Sequence, residues 1–264
     1  MIEVSLLSVG LVAPGLSSWR QSTAMLREEA AYQPEPLPPL KPAILKPSER
    51  RRTTDTIKLA LAAAGDALDQ APWQKRLLSV FACSEGDLNI VHQICHALTQ
   101  DGRPVSPTQF HNSVHNAAAG YGSIATGHQQ ASTSISGQQG TFAAGLLEAA
   151  VQTISEEMPV LLVVYDHPAP FPLNEIVNIG EPFAVSLLLS SRNDSSAHIA
   201  ELAVKTTHDD SVEVMPEARM EAMRLANPAG RALPLLQALA RKKQTCVKLP
   251  YLPNLGLMVD ILPC

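Results

Sequence analysis

The stretch from Ser106 to Ile154, SPTQFHNSVHNAAAGYGSIATGHQQASTSISGQQGTFAAGLLEAAVQTI, decides how this chain is read. Ala117 to Gly120 is a run of small residues, and Gly127 marks a turn. Ala131–Ser136 has the pattern of a short strand, and Gly140–Glu156 that of a long helix. The helix carries Ala143, Ala144, Gly145 and Ala149, small residues that let neighbouring elements approach closely in a central layer. Between strand and helix stand Gly137-Gln138-Gln139-Gly140.

Outward from this stretch, strands and helices alternate. Met1–Val12 is apolar and β-rich, ending at Pro14-Gly15. Pro34 to Pro47 contains six prolines, a density that forbids regular helix or central strand and predicts an extended strap on the surface. Thr53–Ala71 is a helix opened by Thr54 and Asp55, Leu77–Cys83 a buried strand, and Leu88–Leu98 a helix. Pro159–Tyr165 is an apolar strand, and Ala184–Leu189 with Ile199–Lys205 is expected to form a strand pair. Helices over Pro216–Ala226 and Arg231–Lys242 and strands at Cys246–Leu249 and Leu255–Leu262 complete the chain. Strands apolar on both faces, such as Val160–Val164, belong in a layered α/β fold.

Composition narrows the function. The chain has 264 residues, 45% of them hydrophobic and 17% charged, which is ordinary for a rather apolar globular protein. A net charge of −5 argues against nucleic acid as the main partner. No basic-then-apolar leader is seen, and no apolar run reaches the roughly 18–20 residues of a membrane span. Cys83, Cys95, Cys246 and Cys264 show no CxxC spacing, so neither a zinc site nor a disulfide framework is expected and a reducing cytoplasm is the expected location.

Several features in order resemble the β-ketoacyl synthases of the thiolase superfamily: Ser106-Pro107, Phe110, the Asn112-Ser113-Val114-His115-Asn116 loop, the Ala-rich stretch to Gly120, the Gly127 turn, the Ser-rich strand and the helix of small residues. Gly10–Gly15, Glu49-Arg50-Arg51-Arg52 and Ser84-Glu85-Gly86-Asp87 extend the resemblance over residues 1–190. It implies a thiolase-like layered αβαβα fold with a truncated C-terminal half. Residues 1–190 would form the synthase-like half, and 191–264 the shortened remainder of the same domain.

In active members a cysteine stands where the strand meets the buried helix, activated by the helix N-terminus and by backbone N–H groups that hold the thioester oxyanion. Aligned on the strand and on Ser106-Pro107, this chain has Gln139 there, and no cysteine lies between Cys95 and Cys246. A carboxamide cannot be acylated by a thioester. The family's two basic side chains from the C-terminal half also lack counterparts, because beyond His167 only His198 and His208 remain, outside the family's motifs. The resemblance therefore implies a catalytically silent subunit, a chain length factor of the compact type found in aryl polyene pathways. Its partners would be an active β-ketoacyl synthase, paired edge to edge through the junction strand, and an acyl carrier protein.

As implied candidates for closing the partner's acyl tunnel stand Ser84, Glu85, Leu88, Asn89 and His92, with Phe110 and His115 on the loop before the Ala-rich helix. Arg50, Arg51 and Arg52 are candidates for steering the acidic carrier protein, against the plainer reading of a solvated charge run. Two other functions remain open: a malonyl-carrier decarboxylase using Gln139, and a stand-alone acyl-binding scaffold. Gln139 also has a plainer reading, in which it fills the emptied site and bonds locally. His92 and His96 lie four apart on one helix but lack a third ligand, and no metal or cofactor is expected. Cys83 reads as a buried packing residue, and neither Ser134 nor Ser136 sits in a G-x-S-x-G elbow.

Overall fold

The structure is a computed structural model, and it describes residues 1–71, 76–191, 198–209 and 211–264. In chain order the elements are β1 (Ile2–Val12), α1 (Trp19–Leu26), α2 (Pro47–Arg50), α3 (Asp55–Leu68), β2 (Leu78–Ala82), α4 (Leu88–Leu98), α5 (Pro107–Asn112), α6 (Ala117–Thr126), β3 (Ser132–Ile135), α7 (Thr141–Ser155), β4 (Val160–Asp166), β5 (Phe183–Ser191), β6 (Ala200–Thr207), α8 (Ala218–Ala226), α9 (Leu233–Arg241), β7 (Thr245–Leu252) and β8 (Leu255–Pro263). The strands join in one sheet of order β3-β2-β4-β5-β1-β6-β8-β7. β2 runs parallel to β3 and β4, and every other pairing is antiparallel.

The expected pairing of the strands at 184–189 and 199–205 is corrected here. β1 lies between them, pairing Leu6 with Leu189 on one side and with Ala200 on the other. The opening strand is eleven residues long and almost wholly buried, so it can satisfy two neighbours at once.

Period-two alternation sorts the strand side chains into two cores. One face (Leu78, Val80, Ala82, Val160, Leu162, Val164) meets Phe142, Leu146 and Ala149 of α7, together with α9. The other face (Phe81, Leu161, Val163) meets Leu59, Leu61 and Ala63 of α3 and Ala118 and Tyr121 of α6. α7 touches β2 and β4 on one wing of the sheet and β7 on the other, so the sheet curls around a central helical layer. This is the thiolase-like arrangement. On the outer face of β6, β8 and β7, Glu201, Lys205, Asp260 and Lys248 are only partly buried.

α7 fits its central place because it is small on the side that needs room. A methyl at Gly145 would come within 2.9 Å of Ala82 Cβ. At the helix entrance the constraint is tighter still, since a Cβ on Gly140 would lie 2.0 Å from the Tyr251 carbonyl oxygen of the β7–β8 hairpin. The proline-rich strap takes no strand, as expected, apart from the short α2 at its end.

Candidate functional site

β2, β3 and β4 end in register: Ala82 is level with Ile135 and with Val164. Their C-terminal ends therefore present Cys83-Ser84, Ser136 to Gln139 and Asp166 at one end of the sheet, where parallel α/β sheets usually carry ligands. Among the described residues, no group of three His, Cys, Asp or Glu side chains converges as a metal site.

The strand–helix junction is a tight turn. Gln138 has φ +50°, a left-handed backbone that a non-glycine residue rarely adopts. The Thr141 hydroxyl secures this turn, donating to the Gln138 carbonyl at 2.6 Å and accepting from Gly137 N at 3.1 Å. Gln139 follows in the 3-10 turn 138–140 with its side chain exposed. Its Oε1 accepts from Arg231 Nη2 at 3.0 Å. This bond reaches 92 residues along the chain, and Gln139 is exposed, so it does not fill a buried space.

Arg231 sits in the 3-10 turn Ala229–Ala232, anchored by the fully buried Asn227. Asn227 Nδ2 donates to the Asp166 carbonyl at 3.2 Å and the Glu181 carbonyl at 2.7 Å, while its Oδ1 accepts from Ala229 N at 2.8 Å. Burial, and then the charge of Arg224, hold the Arg231 guanidinium below its usual range. Arg224 is itself closed off by Glu221 in a two-pronged ion pair at 2.6 and 2.7 Å.

A second cluster lies beneath the β2 turn. Asp166 Oδ1 accepts from Ser84 N at 2.8 Å, Ser84 Oγ at 2.7 Å and Cys83 Sγ at 3.4 Å. Its Oδ2 is buried without a hydrogen bond. Burial raises the Asp166 carboxyl from 3.8 to about 6 despite the Ser84 donors. Ser136 Oγ donates to the Ser84 carbonyl at 2.7 Å and so ties the junction to the same turn. Cys83 is fully buried; burial and the nearby Asp166 push its thiol far above its usual range, so it stays protonated and unreactive.

The sequence candidates divide between places. Ser84, Asn89 and His115 come together at the β2 turn: Asn89 Nδ2 donates to the Pro168 carbonyl at 3.2 Å, and His115 Nε2 lies 3.0 Å from the Cys83 carbonyl oxygen. Glu85 is exposed beside them, and Leu88 and His92 are half-buried on α4. Phe110 is placed otherwise than expected. It stands on the short helix α5 rather than a loop, because Pro107 at the first helical position pre-sets its start, and its ring is 66% exposed. Arg50, Arg51 and Arg52 lie apart from the turn, at α2, joined to α5 through Asn112 Nδ2 on the Arg52 carbonyl at 2.7 Å. His96 Nδ1 lies 3.4 Å from Gln100 Nε2.

Sequence reasoning missed Arg231, Asn227 and Asp166. Asp166 had a legible signal, a carboxylate ending an unbroken apolar strand. Arg231 had none, since 92 residues separate it from Gln139.

The family profile described as the β-ketoacyl synthase N-terminal domain matches residues 18–249. The chain belongs to that family. A comparison with curated protein sequences gave no match. Among solved structures, this synthase-family chain is similar to one described as a ketosynthase (ApeO) in complex with its chain length factor (ApeC) from Xenorhabdus doucetiae, with TM-score 0.74 and 21% identity over 98% of this chain and 100% of that one. It also matches the ishigamide ketosynthase/chain length factor, with TM-score 0.75 and 13% identity over 100% and 99% of the two chains. A third similar structure is AntDE:AntF, a type II polyketide synthase acyl carrier protein in complex with its ketosynthase, with TM-score 0.75 and 13% identity over 100% and 99%. At these identities the likeness establishes the shared fold. Among the described residues no helix is long and apolar enough to cross a membrane.

Proposed function

We propose that this chain is a chain length factor: a non-catalytic member of the β-ketoacyl synthase family that pairs with an active synthase in the cytoplasm and closes its acyl tunnel during polyketide-type, aryl polyene elongation. In this reading residues 1–190 are the synthase-like half and 191–264 a shortened second half of one domain. The observation that carries the proposal is the junction itself. An exposed amide, Gln139, stands at the strand–helix turn. The thiol at the end of β2, Cys83, is buried and held protonated. The basic group beside Gln139 is a guanidinium, which stays charged at neutral pH and is a poor proton shuttle.

The pairing surface is argued from the sheet edge. β3 pairs only with β2 and leaves its other edge open among the described residues, a template for another strand. The helices that touch β3, α6 and α7, expose Ile124 (60%), Val151 (42%) and Ile154 (45%). A synthase presenting the matching edge would cover both the strand and these apolar side chains. Exposed Arg51 and Arg52 supply a basic surface for an acidic carrier protein on a chain whose net charge is −5.

Co-expression with candidate synthases followed by native mass measurement tests the proposal. A one-to-one complex is expected, and Ile124→Glu with Ile154→Glu should dissolve it while leaving the chain folded. A chain that stays monomeric beside every candidate synthase overturns it.

A further inference from the structure

The part of the chain that carries the open edge of β3 is one-sided in charge. From residue 104 to residue 191 the sequence contains no lysine or arginine, while Glu148, Glu156, Glu157, Asp166, Glu175 and Glu181 all fall within it. Glu148 is the one Asp, Glu, Lys or Arg on α6, β3 and α7. The helix holds this carboxylate over the strand. Gln152 Nε2, one turn further along α7, donates to Glu148 Oε1 and to Thr133 Oγ1 of β3, each at 2.8 Å. Glu148 is half-buried and enters no ion pair among the described residues. Exposed Val151, three residues on, shares its side of the helix.

Desolvation decides what a partner must bring. A chain that adds a strand to β3 removes water from Glu148, and a carboxylate buried without a counter-charge is costly. The Gln152 amide is neutral and supplies none. A second copy of this chain makes the balance worse. Two-fold self-pairing sets the same patch against itself, carboxylate toward carboxylate, with no lysine or arginine on α6, β3 or α7 of either copy to separate them. A chain that presents a basic side chain there gains a charge-assisted bond instead.

We infer that Glu148 selects the partner at this edge: it fits β3 to a chain that presents a lysine or arginine opposite it and turns away a second copy of this chain. The inference deepens the pairing proposed above and rests on it for the identity of the partner as an active synthase. The charge argument itself uses only this chain, so the two can fail separately.

The test is a sedimentation titration of the full chain and of its Glu148→Gln and Glu148→Arg variants, each alone, mixed, and with a purified synthase. Melting temperatures show that each variant is folded. The parent mixed with Glu148→Arg is expected to associate about tenfold or more tighter than either chain alone, with the gain shrinking in high salt. A synthase that binds the parent should bind Glu148→Arg about tenfold or more weaker, with Glu148→Gln between the two. Mixing that brings no gain, or a synthase complex indifferent to Glu148→Arg, overturns the inference and leaves the pairing standing. If no synthase binds the parent, the pairing proposal fails, and the mixing result alone decides for or against Glu148.

Discussion

Gln139 Oε1 accepts a hydrogen bond from Arg231 Nη2 at 3.0 Å, joining the strand–helix junction to a turn 92 residues further along the chain. The pair orders the junction. It also sets what a restored thiol would do.

Gln139→Cys should give a reactive thiol without condensing activity. The guanidinium 3.0 Å from the present amide oxygen would favour the thiolate, so alkylation by iodoacetamide at neutral pH should be several-fold faster there than at exposed Cys95. No carbon–carbon bond formation should follow, because the basic group bonded to position 139 is a guanidinium, a poor proton shuttle. Mass analysis of the alkylated chain and of carrier-bound products checks both parts.

Asp166→Asn should flatten part of the pH dependence of stability. With its carboxyl raised from 3.8 to about 6, the folded chain holds a proton that the unfolded chain has released across that window. Stability conferred by the neutral acid is therefore present at low pH and is lost as pH rises toward 6, by about 3 kcal/mol in all. The asparagine variant should lack this decline and be at least as stable as the parent at pH 7. Denaturant titrations at pH 4.5, 5.5 and 7 measure the difference.

Gly140→Ala should destabilise the chain by about 1–3 kcal/mol, because the new methyl meets the Tyr251 carbonyl at 2.0 Å and must push the β7–β8 hairpin away. Gly120→Ala is the contrasting case. It lies in α6 with nothing within 4 Å of the added methyl, and should stabilise by about 1 kcal/mol through helix propensity. Thermal melts of the two variants should move in opposite directions.

In a reconstituted complex, Leu88→Trp should shorten the carrier-bound product and Phe110→Ala lengthen it. Both side chains remain reachable by a partner, one half-buried on α4 and the other exposed on α5. Ser84 is a poorer probe, since losing its bonds to Asp166 would disturb the fold. Product mass that does not change across these variants and Asn89→Trp removes the gating role.

The sequence made the elements legible where pattern and punctuation agreed. Leu88–Leu98 is a helix with the expected ends because Asp87 caps it through Ile90 N at 3.1 Å. The Ser132–Ile135 strand, the Gly137–Gly140 turn and the helix after it were readable for the same reason. Strand adjacency was not. Nothing local in Ala184–Leu189 or Ile199–Lys205 tells that β1, nearly 180 residues earlier in the chain, slips between them. The site was legible only for residues close together along the chain. Gln139 stands next to its strand and helix, but its Arg231 partner is brought in by Asn227, whose bonds to the Asp166 and Glu181 carbonyls exist only once the sheet is formed.

The measurement that bears most directly on the central claim is a condensation assay with malonyl-loaded carrier protein and an acyl starter, read by intact mass of the carrier, run on the chain alone and on its complex with a synthase. Elongated acyl groups are expected from the complex and none from the chain alone. Elongation by the isolated chain would contradict a subunit whose junction holds an amide in place of a thiol.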